Sequence, residues 1–205
     1  MNETRDAEIH HLIGGELCLD FANTLYGHAD APIHEYLFDY RDLVLWSRHT
    51  GVLTDREVRG LFRLAKERPD KAGTIFRRAI ATRETIYRIF AGLAQGHTPK
   101  ADDLTALHSA WLDAMTHSSL FETSDGFHLD WSGGSSLERV LWPITNSAIQ
   151  LLTSDGLQRI KQCHGCDWLF VDRSRNHMRR WCSMDACGNR TKMRRRHARR
   201  KLASR

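Results

Sequence analysis

The chain has 205 residues, enough for one large domain and a small one. Its hydrophobic content of 41% is ordinary for a globular protein, and no apolar run approaches the roughly 20 residues a membrane-spanning helix needs. The net charge of +5 hides a split: residues 157–205 hold 15 Lys and Arg against 3 Asp and Glu, while the rest holds 15 against 22.

The opening, M-N-E-T-R-D-A-E, is polar and has no apolar signal segment. A cytoplasmic setting is the expectation. Leu12 to Asp20 (L-I-G-G-E-L-C-L-D) reads as a buried strand on either side of Gly14-Gly15. Asp20 then caps a short helix, Phe21 to Thr24. Asp20, Asn23 and Thr24 form a polar cluster at the end of an apolar segment. They could anchor a small molecule, or they could cap a helix and satisfy nearby backbone groups. Cys18 stands alone in the apolar run and reads as a small buried hydrophobe rather than a redox sensor.

Tyr26 to Leu37 is loop-like. Asp39 to His49 is helical and stops at Gly51. Thr54 to Arg68 opens with T-D-R-E, a capping box, and carries Val58, Leu61, Phe62 and Ala65 on one face. Asp70 to Ala94 repeats Ile75, Ala79, Ile86, Ile89, Phe90 and Leu93 at helical spacing, before Gly96 and Pro99. Ala101 to Thr116 is a further helix, with Leu104, Leu107, Trp111 and Met115 inward. Leu120 to Trp131 changes period around Ser124-Asp125-Gly126, which signals a β-hairpin. This hairpin is expected to pair with the Leu12–Asp20 strand. Ser135 to Thr153 is helical again, with Pro143 as an expected kink. Ser154-Asp155-Gly156 is the expected boundary between a domain over 1–155 and a second over 156–205. Its shortness predicts that the two pack together.

The second segment carries the chemistry. Cys163 and Cys166 lie three positions apart, fifteen residues intervene, and Cys182 and Cys187 follow five positions apart. Two close thiol pairs joined by a medium loop can meet at one tetrahedral ion, and zinc suits four thiolates with no redox duty. A closed four-Cys site leaves no open position for water, so it folds the segment and does no chemistry. Disulfides would need an oxidising compartment. D-W-L-F-V-D (Asp167–Asp172) reads as a strand leaving the first pair, and Ser183 and Asp185 suit the start of a helix running to about Leu202. Knuckle, hairpin and helix around one zinc make a treble-clef-like finger. Overall this is an α+β chain: a mainly helical N-terminal domain with a small antiparallel sheet, then the finger.

From Arg190 the sequence reads R-T-K-M-R-R-R-H-A-R-R-K. Lys192, Arg195, Arg196 and Arg199 share a helical face, which Arg194 and Lys201 broaden, with Arg190 and Arg200 in the same run. So many like charges on one helix call for a polyanion, and nucleic acid phosphate is the obvious one.

C-H-G-C-D-W-L-F-V-D-R-S-R-N and R-R-W-C-S-M-D-A-C-G-N-R resemble the CGNR zinc finger family, over about Leu157 to Lys201. G-G-E-L-C-L-D-F-A-N-T resembles the opening of the ABATE domain, which that family carries N-terminal to the finger. The resemblance implies zinc ligands at Cys163, Cys166, Cys182 and Cys187. It also implies DNA contact through the finger and a role as a stress-induced transcription regulator of bacteria, the helical domain sensing a small molecule or partner. An RNA-binding zinc protein, ribosome- or tRNA-associated, is the alternative, with Trp168, Phe170 and Trp181 stacking on unpaired bases. Catalysis is not expected: His10, His11, His28 and His34 with Asp20 and Asp30 form no metallohydrolase spacing, and no nucleophile motif or phosphate loop is present.

Overall fold

The computed structural model describes residues 12–27, 34–124, 126–131, 136–193 and 196. Helices form most of it. They are α1 (Leu17–Ala22), α2 (Tyr40–His49), α3 (Asp55–Glu67), α4 (Pro69–Ala94), α5 (Ala101–Thr116) and α6 (Trp142–Leu152). Three two-stranded antiparallel ladders accompany them: β1 (Leu25–Tyr26) with β2 (His34–Glu35), β3 (Ser119–Thr123) with β4 (Gly126–Asp130), and β5 (Ile160–Gln162) with β6 (Leu169–Val171).

The helix boundaries follow local chemistry. The Asp39 carboxylate accepts the Asp42 amide at 2.9 Å and caps α2. Thr54 and Glu57 close the expected capping box before α3, with Thr54 N donating to Glu57 Oε2 at 2.8 Å. α4 is the longest element, and it buries Ile75, Ala79, Ile86, Ile89 and Phe90 along one stripe. Within that stripe sits Arg83, 2% exposed, which forks onto the Glu35 carboxylate at 2.6 and 2.7 Å. This pair pins the β1–β2 ladder to α4. Arg83 also bonds the Glu84 carboxylate at 3.0 Å, so its buried charge is shared between two carboxylates.

Three expectations need correction. Leu12–Asp20 is not a strand: residues 17–22 are helical, and Cys18, Leu19, Phe21 and Ala22 are buried at helical spacing. A run of three apolar residues fits a buried strand or a buried helix equally, and Gly15, at φ +79, turns the chain into the second. Asp20 therefore lies inside α1 rather than capping a later helix. The β3–β4 hairpin forms as read, but its strands pair only with each other among the described residues. With no strand at 12–20, it has no sheet to join. Finally, Pro143 opens α6 instead of kinking it, after a 3-10 turn over Leu137–Val140. The first turn is where a missing N–H costs nothing.

One hydrophobic cluster unites α1 to α6 with Ile160, Leu169 and Val171 of the last ladder. A second contains the four finger cysteines, Trp168 and Phe170, with Ile13, Tyr36 and Trp181 against it. Strand β6 explains both. Alternate side chains of a strand point to opposite faces. Leu169 and Val171 therefore enter the helical core, while Trp168 and Phe170 enter the cysteine cluster. The run W-L-F-V is a wall shared by the two cores.

Candidate metal centre and nucleic-acid interface

The β5–β6 turn is the knuckle that holds Cys163 and Cys166. Cys163 N donates to Trp168 O at 2.8 Å, and Asp167 N donates to Cys163 O at 3.1 Å. Asp167 takes the left-handed conformation, φ +61. Gly165 serves by close approach instead: a Cβ there would sit 3.2 Å from Cys187 Cβ and 3.5 Å from its sulfur. Cys182 precedes a π-type turn, Met184–Gly188, that contains Cys187, and helix follows over 189–193. The helical start expected near Cys187 is thus a wider turn first and a regular helix only afterwards.

The four sulfurs lie within 4.8 Å of one another and all four cysteines are buried. Cys166 Sγ is 3.5 Å from Cys182 Sγ, and Cys182 Sγ is 3.8 Å from Cys187 Sγ. An ideal tetrahedron with Zn–S bonds of about 2.3 Å has sulfurs about 3.8 Å apart. A disulfide would place them at about 2.05 Å, and all five cysteines are free. Without a cation the cluster is in conflict. The Cys163 sulfur, ahead of the other two and of burial, pushes the Cys166 thiol up, and Cys163 also raises Cys182. A divalent ion removes that conflict by binding all four as thiolates. The donor set fits one structural zinc.

Arg190 belongs to this centre. Its Nη2 donates to Cys187 Sγ at 3.2 Å and to Gly165 O at 3.1 Å. A zinc with four thiolates carries an excess of two negative charges, and a guanidinium on a ligand sulfur offsets part of it. The sequence grouped Arg190 with the phosphate-binding run, and its position ties it to the metal ligands. Lys192 and Arg196 are exposed. Arg194, Arg195, Arg199, Arg200 and Lys201 lie outside the described residues.

Asp172 has a role that the sequence alone does not announce. Its side chain is fully buried and accepts from Ser174 N (3.0 Å), Ser174 Oγ (2.6 Å), Arg179 N (2.9 Å) and Lys161 Nζ (2.8 Å). Burial alone would raise this carboxyl, but the Lys161 ammonium and the Ser174 and Arg179 donors hold it well below the usual range. The D-R-S step was the available signal, an Asx-turn pattern.

The polar cluster near α1 is engaged with protein groups. Asn23 Nδ2 donates to Leu169 O at 2.8 Å, and Leu169 N donates to Asn23 Oδ1 at 2.8 Å. One buried amide thus reproduces a strand pairing to β6. Thr24 Oγ1 donates to Phe21 O at 2.7 Å and accepts from Arg83 Nη1. Asp20 accepts the Gly14 amide at 2.7 Å, and burial pushes its carboxyl up to about 6. The pocket reading of Asp20, Asn23 and Thr24 therefore meets side chains already spent on local structure and on the finger. Burial pushes the Cys18 thiol up to about 12, so it is protonated and out of reach of solvent.

Further bonds join the finger to the helical body. Trp168 Nε1 donates to Leu25 O at 3.0 Å, Val171 N to Gly14 O at 2.9 Å, and Tyr87 Oη to Asp167 O at 3.3 Å.

The family model described as "Putative stress-induced transcription regulator", ABATE, matches residues 15–155. The chain belongs to the ABATE family. A second model, the CGNR zinc finger, matches residues 159–200 and includes all four clustered cysteines. No curated protein matches the chain. For this ABATE-family chain the fold is mainly helical with small antiparallel ladders, and its four-cysteine cluster is built for a single ion. Among the described residues no helix is long and apolar enough to cross a membrane.

Proposed function

We propose that this chain is a transcription regulator that binds duplex DNA through its zinc finger, with the helical ABATE body receiving a small-molecule or protein signal. One observation carries the reading. The metal cluster fixes the start of a helix whose exposed Lys192 and Arg196 open a run of cations. A run of cations that begins at a metal-fixed helix start is suited to phosphate.

Burial weighs against the RNA alternative. Of the three candidate stacking residues, Trp168 and Phe170 are 8% and 0% exposed and fill the finger's own core, while Trp181 is half-buried and packs against the same cluster. Free thiols at all four ligand positions suit the reducing cytoplasm. The proposed catalytic role is none: the metal site is closed, and its ligands leave no position for water.

The test is fluorescence anisotropy of zinc-loaded protein on genomic duplex fragments across a salt series. The expected result is binding that weakens linearly in log–log form with salt and disappears after chelation. Equal binding by the chelated protein, or none by the loaded one, would overturn the proposal.

A further inference from the structure

Residues 173–180 form the loop between β6 and the second cysteine pair. It contains four arginines: Arg173, Arg175, Arg179 and Arg180. Two are committed to the protein. Arg173 bonds Gly15 O at 2.9 Å and the Glu16 carboxylate at 2.6 Å. Arg179 bonds Cys182 O and lies over the Phe170 ring, 4.6 Å from its centroid. Arg175 and Arg180 are exposed and have no carboxylate or carbonyl partner among the described residues.

The loop that displays them is braced. Four donors converge on buried Asp172, as described above. His177 N donates to Ser174 O at 3.2 Å, His177 takes a left-handed φ of +47, and Lys161 Nζ reaches the His177 carbonyl. The knuckle itself holds the far end, because His164 N donates to Arg180 O at 3.1 Å. The Arg180 backbone is therefore fixed to the same rigid body as the cysteine cluster. Between 168 and 184 the sole acidic residue is Asp172, which is buried and paired with Lys161. Arg175 and Arg180 therefore have no exposed carboxylate among their neighbours in this stretch of sequence. The loop also carries Met178, 76% exposed, the most exposed large apolar side chain among the described residues. An apolar side chain between free cations suits the sugar and groove surfaces beside a phosphate backbone.

We infer that the 173–180 loop is a second phosphate-binding arm for duplex DNA, with Arg175 and Arg180 seated on the phosphate backbone in addition to the contacts of the basic run. The inference rests on the DNA reading above. It enlarges the interface from one helix to two arms held by one metal and one buried carboxylate. A braced loop loses little entropy when it binds, so its two cations act at close to full strength.

The experiment compares wild type, R175Q/R180Q and K192Q/R196Q, each zinc-loaded, by salt-dependent anisotropy on the same duplex. Removing two phosphate contacts should reduce the magnitude of the log–log salt slope by about 1.8, and binding at 0.1 M salt by roughly 60-fold. The loop and helix variants should each show this loss, with zinc content unchanged. If R175Q/R180Q keeps the wild-type slope and affinity while K192Q/R196Q loses both, the second arm is refuted and the DNA reading survives. If wild type itself fails to bind duplex, the DNA reading falls first. If single-stranded RNA binds more tightly than duplex and loses affinity in the loop variant, the duplex assignment is overturned.

Discussion

Two hairpins of the same plain type meet opposite fates in this molecule. β3–β4 has five paired positions and stands almost wholly in solvent, with Leu120, Phe127 and Leu129 on one exposed face. β5–β6 has three, yet every residue of β6 is buried. Pairing length does not decide burial; the side-chain pattern does. β3 mixes polar Ser119, Glu122 and Thr123 with its apolar residues on both faces, whereas W-L-F-V in and before β6 is apolar on both faces. A strand apolar on both faces needs a core on each side. Here one core is built by helices and the other by four sulfurs.

The contrast predicts where substitutions hurt. Asn23→Ala should have the largest effect, because it strands both backbone groups of Leu169 in a buried setting. The expected loss is roughly 2–6 kcal/mol, read by urea denaturation of the zinc-loaded protein. A loss below 0.5 kcal/mol would show that β6 does not depend on this joint.

Next comes the pH response of Asp20. Its folded carboxyl titrates near 6, above the unfolded value near 3.8, so the native state binds its proton more tightly. Stability from this group therefore rises as pH falls from about 6 to about 4. Relative to Asp20→Asn, wild type should gain stability over that window; parallel curves for the two proteins would contradict this.

Arg190→Ala should leave the fold intact and speed zinc release to a chromophoric chelator, by about 10-fold or more, as loss of a partner to a metal ligand typically does. Unchanged release would return Arg190 to the phosphate-binding group. The smallest effect belongs to the other hairpin. Leu120→Ser with Phe127→Ser removes two exposed apolar side chains and should shift the unfolding midpoint by the equivalent of less than about 0.5 kcal/mol each.

How much of this was legible in the sequence follows from which signals are local. The four ligands were readable because metal geometry demands a fixed spacing. Helices α2 to α5 were readable because apolar periodicity and caps are written along the chain. L-C-L at 17–19 was not, since a short apolar run does not distinguish strand from helix. The β5 partner, I-K-Q, is too brief to signal itself. Arg190 was grouped with its neighbours because nothing local separates a guanidinium on a sulfur from one awaiting phosphate. Asn23 reads locally as a helix-end residue; its partner lies 146 positions away.

Calorimetry with and without zinc asks directly whether the β6 wall makes the two cores one unit. The helical body and the finger should melt in a single transition, and chelation should lower the temperature of that whole transition. A helical body that melts at the same temperature with and without the ion, while the finger is lost separately, would contradict the account.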